Sequence, residues 1–429
     1  MIEAISEDGI PVDELQDAQP WRMNLVSFCS SDPSKVFIAV GHLIKIFLQS
    51  RNGELRYMET LRHHQCQSVI NALRTGFVDK DPILVAVDDE GLVRVINMNK
   101  EYQTQVLRNN ISTWGIATYG PKSLLAVSAN SHLITLWDLS SSDDSFGRRV
   151  FEGHSNNIPS IDFSPSGEYL VSVSIDASCR LWRVSSGECV SVRQIELFNW
   201  SCLAIQSHMV KQIDSLFTPP NNAETVVHSI DYELDDVISD SSSDEYATAE
   251  TELSSSEDVE QSASKRIRIC SHPSDESLDF LVLHTNVEDF RLLGGKSLSV
   301  MYHISTLLKE FTDSSRWNML HRMYRGLDRL SLSLWIPELS VALVASQRSK
   351  IAVIRILRNE AQTRFKCLVQ HVIPRNSDSP ILGMDVVKCL GHPEQDPVFK
   401  LMFVTYDLKA FTFKLFGESS PYCTSNIVL

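Results

Sequence analysis

Apolar and polar positions along this chain alternate in short runs bounded by Gly, Pro, Asn, Asp or Ser, a pattern that predicts many short strands rather than helices. The runs recur in a fixed order. A first strand is read in NLVSFCS (24–30), INALRTG (70–76), WGIATYG (114–120), IPSIDFS (158–164), WSCLAIQ (200–206), LSLSLWI (330–336) and ILGMDVV (381–387). A near-hairpin follows each: VFIAVGHLIKIF, ILVAVDDEGLVRVI, LLAVSANSHLITLW, YLVSVSIDASCRLW, FLVLHTNVEDFRLL, VALVASQRSKIAVIRI and LMFVTYDLKAFTF. The chain therefore reads as seven similar sets of strands.

In the first four sets the hairpins end at Phe47, Ile96, Trp137 and Trp182, which gives steps of 49, 41 and 45 residues. A period of about 40–45 residues with four strands per repeat is that of WD-type propeller blades. One such blade cannot bury both faces alone, and stacking neighbours around a ring supplies the missing apolar contact. The expected fold is all-β: a seven-bladed WD-type β-propeller, monomeric, with a disordered acidic insert. The division expected is an acidic N-terminal tail over 1–20, blades one to four and the start of blade five over 21–210, the insert over 211–277, and the remainder of blade five with blades six and seven over 278–420. The outer strand of the last blade comes either from the N-terminal residues or from SNIVL near the end. The stretch 301–330 has partly helical spacing, with Trp317, Leu320, Tyr324 and Leu327 on one face, and fits either an extra helix between blades five and six or an irregular strand pair.

Composition sharpens this picture in three places. No apolar run approaches the roughly 18–20 residues that cross a bilayer. The opening MIEAISEDGIPVDELQDAQ lacks the basic and then apolar regions of a secretory signal, so a nuclear or cytoplasmic protein without membrane partners is expected. Nine cysteines without a CxxC pair fit reduced thiols better than a disulfide frame. The net charge of -15 is local: fourteen Asp and Glu and no Lys or Arg lie between Lys211 and Lys265, leaving -1 for everything else. A nearly neutral body disfavours sequence-independent phosphate binding, so proteins rather than nucleic acids are the expected partners.

The acidic window is also Ser-rich and poor in aromatic residues, a composition that cannot support a core. It falls between the first and second strands of blade five, where a surface loop is tolerated because closure cost rises slowly with length. Ser241, Ser242, Ser254 and Ser255 each have an acidic residue three positions later, the pattern favoured by acid-directed kinases. Each phosphorylation would add about -1.5 to -2 charge. The basic cluster Lys265, Arg266 and Arg268 reads either as a nuclear import signal or as a patch balancing the acidic run.

Candidate chemistry centres on blade four, where His154, Ser172, Asp176 and Trp182 stand at the spacing of a WD-repeat hydrogen-bonded tetrad. A His, a Ser and an Asp also invite the reading of a catalytic triad. A triad needs an exposed nucleophile and an oxyanion site, for which strand positions in a repeated sheet are poor hosts. The structural reading is therefore taken, and neither enzyme activity nor a cofactor is expected. RLLGGKS (291–297) resembles the end of a phosphate-binding loop, but Phe290 occupies the position of its first Gly, which leaves a turn after a strand. His63, His64 and Cys66 lack a second cluster at metal-ligand spacing, so no metal is expected either. Asp88 and Asp89 fall in a hairpin turn, where Asp is favoured for local hydrogen bonds.

The runs INALRTGFVDKDPILVAVDDEGLVRV, NISTWGIATYGPKSLLAVSANSHLITLW, GHSNNIPSIDF, FLVLHTNVEDFRLL, LSLSLWIPELSVALVASQRSKIAVIRIL and PILGMDVV resemble the fungal CRT family of WD-repeat proteins, regulators of ribonucleotide reductase gene transcription. The resemblance covers most of 70–414 outside the insert, and WIPELSVALVASQ and STWGIA are its most specific pieces. It implies a non-enzymatic scaffold in transcription regulation and the DNA-damage response, with transcriptional regulators or cullin ligase components as partners. It brings no catalytic residues to carry over. The alternative is a substrate receptor of a cullin-type ubiquitin ligase. Such receptors often carry a WD-x-R element, whereas Trp182 and Arg183 here are followed by Val184 and Ser185.

Overall fold

Blade four shows why these residues form strands and why the strands stack. Tyr169–Val173 is buried at every position, as expected for a second strand covered on both faces. Cys189–Gln194, the fourth strand, has no fully buried residue because it lies at the rim. Side chains that alternate across the sheet therefore feed two different interfaces. Leu170 and Trp182 pack toward blade three, while Val171, Val173, Cys179 and Leu181 pack toward blade five.

The computed structural model describes residues 2–9, 22–50, 52–109, 111–141, 146–195, 198–213, 280–286, 289–295, 298, 301–306, 329–346, 350–360, 365–373, 379–389 and 397–416. They form seven sheets, antiparallel except for one short strand added to the sixth. The innermost strands are Val26–Phe28, Ile70–Val78, Thr113–Tyr119, Ser160–Phe163, Ser201–Gln206, Leu332–Ile336 and Ile381–Lys388. Each overlaps one of the seven runs read from the sequence. Seven apolar clusters join successive blades, and the last links Val26, Phe28 and Ile38 of blade one to Met402, Val404 and Ala410 of blade seven. At about 1.5–3 kcal/mol for each fully buried large apolar side chain, these clusters are the main force holding the ring. The protein is a seven-bladed β-propeller.

The ring closes through its N-terminal residues. Ile2–Gly9 runs antiparallel to Lys409–Phe416 as the outer strand of blade seven, with Ile2 opposite Leu415 and Gly9 opposite Lys409. Residues 1–20, read above as an acidic tail, thus contain a strand of the fold. SNIVL lies outside the described residues.

Blade five resumes at Phe280–Thr285 after the insert. Before leaving, the chain forms a short parallel strand, Lys211–Gln212, beside Leu357–Arg358 of blade six. Met301–Thr306 is the fourth strand of blade five. The rest of the stretch with helical spacing, including Trp317, Leu320, Tyr324 and Leu327, lies outside the described residues. So do Ser241, Ser242, Ser254, Ser255, Lys265, Arg266 and Arg268.

Candidate functional site

The structure brings the four blade-four residues together. Gly153 and His154 lie between the outer strand of blade three and the inner strand of blade four, Ser172 sits on the second strand, Asp176 on the following turn and Trp182 on the third strand. His154 Nδ1 lies 2.8 Å from Asp176 Oδ2, and His154 Nε2 lies 2.7 Å from Ser172 Oγ. Trp182 Nε1–H donates to Ser172 Oγ at 2.8 Å. Gly153 suits its place because its φ of +154° is one that L side chains rarely adopt.

The connectivity Asp–His–Ser is that of a triad, but the environment is not. Ser172 is fully buried and the His154 side chain is 0 % exposed, so no substrate reaches the hydroxyl. Burial lowers the His154 pKa against the pull of Asp176, which keeps the ring neutral. A neutral ring donates from Nδ1 to the carboxylate and accepts the Ser172 hydroxyl proton at Nε2. Burial alone would raise the Asp176 pKa, yet hydrogen bonds from His154, Ser178 and the Ser155 backbone hold it well below the usual carboxylate range. Every polar atom in this chain thus has a partner, the condition for a buried network to stiffen a fold.

Other blades depart from this arrangement. In blade three Asn109 accepts from Thr135 Oγ1 at 2.7 Å and donates to Thr113 at 3.1 Å. In blade two the buried Arg94 donates to the His42 carbonyl at 3.0 Å. In blade five His284 stands opposite Arg291, as Ser172 stands opposite Arg180 in blade four. Burial, with Arg291 and Arg193 nearby, pushes the His284 pKa down to about 3.

The second constellation lines the central channel, a cavity of about 430 Å³ bounded by the inner strands of all seven blades. One side is polar and fastened blade to blade. Asp385 of blade seven accepts from the Phe28 N–H at 2.7 Å and Ser27 Oγ at 3.0 Å, and Ser27 accepts from the Thr75 N–H at 3.2 Å. Arg74 of blade two spans to the Ile116 carbonyl at 2.8 Å and Asp162 Oδ1 at 2.9 Å, and Asp162 accepts from the Ala204 N–H of blade five at 3.0 Å. Burial pushes the Asp385 carboxyl up to about 6 despite its donors. The other side carries Leu203, Leu334 and Trp335.

Asp89 also reaches further than its turn. Asp88 bonds locally, to the Glu90 and Leu92 N–H groups. Asp89 instead accepts from Arg22 at 2.7 Å, Asn71 at 2.9 Å and Ser112 at 2.9 Å, joining the entry to blade one with blades two and three. Sequence reasoning missed Arg22, Arg74, Asp162 and Asp385. A charged residue inside an otherwise apolar innermost run, as in SIDF and GMDVV, was the available signal.

His63 and Cys66 meet at 3.5 Å, and the His63 and His64 rings stack at 4.9 Å between centroids. Among the described residues no group of three or more His, Cys, Asp or Glu is placed to hold a metal ion. The Asp289–Gly294 strand precedes Gly295, whose N–H bonds to the Phe280 carbonyl, while Lys296 and Ser297 lie outside the described residues. No described helix is long and apolar enough to cross a membrane.

Residues 147–183, spanning the blade-four network, match the family model described as WD domain, G-beta repeat. Blade four is similar to a WD repeat. A WD40 repeat-containing protein of Dictyostelium discoideum is 36 % identical over 185 residues, which cover 42 % of this chain and 27 % of that protein. An uncharacterized WD repeat-containing protein of Schizosaccharomyces pombe is 23 % identical across 95 % of this chain and 92 % of its own length. A chain from a crystal structure of a mitotic checkpoint complex superposes with a TM-score of 0.56 at 9 % identity, covering 96 % of this chain and 91 % of that one. At that identity the likeness extends to the fold alone.

Proposed function

We propose that this WD-repeat propeller is a non-enzymatic scaffold that binds transcriptional regulators in the nucleus and controls expression of ribonucleotide reductase genes in the DNA-damage response. The observation that carries the scaffold reading is the enclosure of the blade-four network. Its His, Ser and Asp hold strands together, and the His154 and Ser172 side chains are enclosed, so the chemistry of this blade is internal. Loops and turns around the ring are left as partner-binding surface, the usual arrangement in propellers.

The named process rests on the resemblance of WIPELSVALVASQ and STWGIA to the fungal CRT family. STWGIA supplies Ser112 and Trp114, whose hydroxyl and indole are joined at 2.9 Å near the channel mouth. Ser241, Ser242, Ser254 and Ser255 are proposed phosphoacceptors, and Lys265, Arg266 and Arg268 the import signal. The deciding experiment measures messenger levels of ribonucleotide reductase subunits in a deletion strain, with and without DNA damage. Altered levels are expected, and unchanged levels overturn the reading. Affinity purification that returns cullin components instead of transcription factors selects the ligase-receptor alternative.

A further inference from the structure

Leu55–Leu61 is the outermost strand of blade one, bonded on one side to Leu43–Gln49 and on the other to no described strand. Its sequence LRYMETL lacks the Lys and Pro that commonly guard a sheet edge. Tyr57 and Met58 stand 46 % and 47 % exposed at its centre, the one adjacent pair of exposed large apolar side chains among the described residues. Arg56 and Glu59 flank them, both exposed, and neither enters an ion pair among the described residues.

The register of this strand fixes which face each charge occupies. Arg56 stands opposite Leu48 and Glu59 opposite Ile46, while Met58 is the extra residue of a bulge. Leu48 and Ile46 are two apart on their own strand, so Arg56 and Glu59 share one face of the sheet. Tyr57 stands opposite Phe47 on the other face, where the two rings meet edge to face at 5.9 Å. Uninterrupted alternation would put Arg56 and Glu59, three positions apart, on opposite faces. Their shared face is therefore not legible in the sequence, from which a monomer was expected.

We propose that this strand pairs edge to edge with the same strand of a second copy of the chain. Laid antiparallel about the point between Tyr57 and Met58, the two strands bring Arg56 of each opposite Glu59 of the other, and Tyr57 of each opposite Met58. Both ion pairs fall on one face, as a two-fold axis perpendicular to the sheet requires, and every contact occurs twice. Opposite charges facing each other across an antiparallel pair stabilise it, and like charges destabilise it. This selects blade one. Ile2–Gly9 carries acidic side chains alone, and Gln103–Arg108, Arg149–Phe151, Cys189–Gln194, Met301–Thr306 and Phe365–Ile373 carry no carboxylate, so none of them can meet its own copy through opposite charges. Seven residues span about 23 Å, which puts the interface at the small end of the range and its Kd on the order of tens of micromolar.

Sedimentation velocity on the full chain, from about 1 to about 200 µM, should show a concentration-dependent monomer–dimer equilibrium. Arg56→Glu and Glu59→Arg each put like charges across both contacts, and each should weaken association several-fold in protein whose unfolding midpoint is unchanged. An equimolar mixture of the two single variants restores an opposite pair at both contacts, because one chain presents two acids and the other two bases. The mixture should associate about as tightly as the unaltered chain, a result that a misfolded variant cannot give. An unaltered chain that stays monomeric at the highest concentration overturns the proposal. So does association that neither variant weakens, or a mixture that associates no more tightly than its components.

Discussion

Ser172 is the residue on which the blade-four chain turns, since its one oxygen serves both His154 and Trp182. Ser172→Ala leaves a buried indole N–H and an imidazole nitrogen without partners. It should lower unfolding free energy by about 1–3 kcal/mol in urea titrations. Ser172→Thr, which keeps the hydroxyl, should cost less. His284 contributes in a different way. Its folded pKa of about 3 lies below its ordinary value of 6.5, so the stability of the neutral buried ring is present above pH 6.5 and is lost as pH falls toward 3. One pH unit below 6.5 that loss is about 1 kcal/mol. His284→Leu should therefore be less sensitive to acid than the unaltered chain, and unfolding curves at pH 7.5 and 5.5 measure the difference. Equal losses in both proteins would refute the assignment.

Among elements, the strand Ile2–Gly9 shows what the sequence could and could not convey. IEAISEDG lacks the sustained alternation that marks the other strands. Its place is set by the ladder to Lys409–Phe416, in whose register Glu3 stands opposite Lys414. The seven innermost strands, by contrast, were legible because buried apolar residues recur in each, as at Ile161 and Phe163 or Leu332 and Ile336. The channel fasteners Arg74, Asp162 and Asp385 were hidden for the opposite reason: each bonds to a residue in another blade, at separations such as 88 positions for Arg74 and Asp162, which no local pattern records. The tetrad was legible because WD repeats place its four members within one short window. Removing residues 1–9 should expose the edge of Lys409–Phe416, lower the unfolding midpoint by several degrees and raise hydrogen exchange selectively in blade seven. Uniform exchange across all blades would contradict the closure seen here.

For the whole molecule, stability is a sum over seven similar interfaces rather than the property of one core. Residues 214–279 carry the acidic, Ser-rich composition that cannot support a core. Replacing that segment with a short Gly-Ser linker should shift the unfolding midpoint by no more than a few degrees, since loop length enters only logarithmically. A large fall in differential scanning calorimetry would show that the segment takes part in the fold. The same substitution removes most of the net charge, so salt dependence of solubility should change while thermal stability does not.

Because Ile2–Gly9 pairs with Lys409–Phe416, this strand must wait during synthesis for a partner far along the chain. During synthesis six sheets can assemble in turn while this segment stays single, and the circle locks only when roughly four hundred further residues have emerged. A truncated product from an interrupted message would carry an open ring with bare apolar faces at both ends, a form suited to chaperone capture rather than to partner binding.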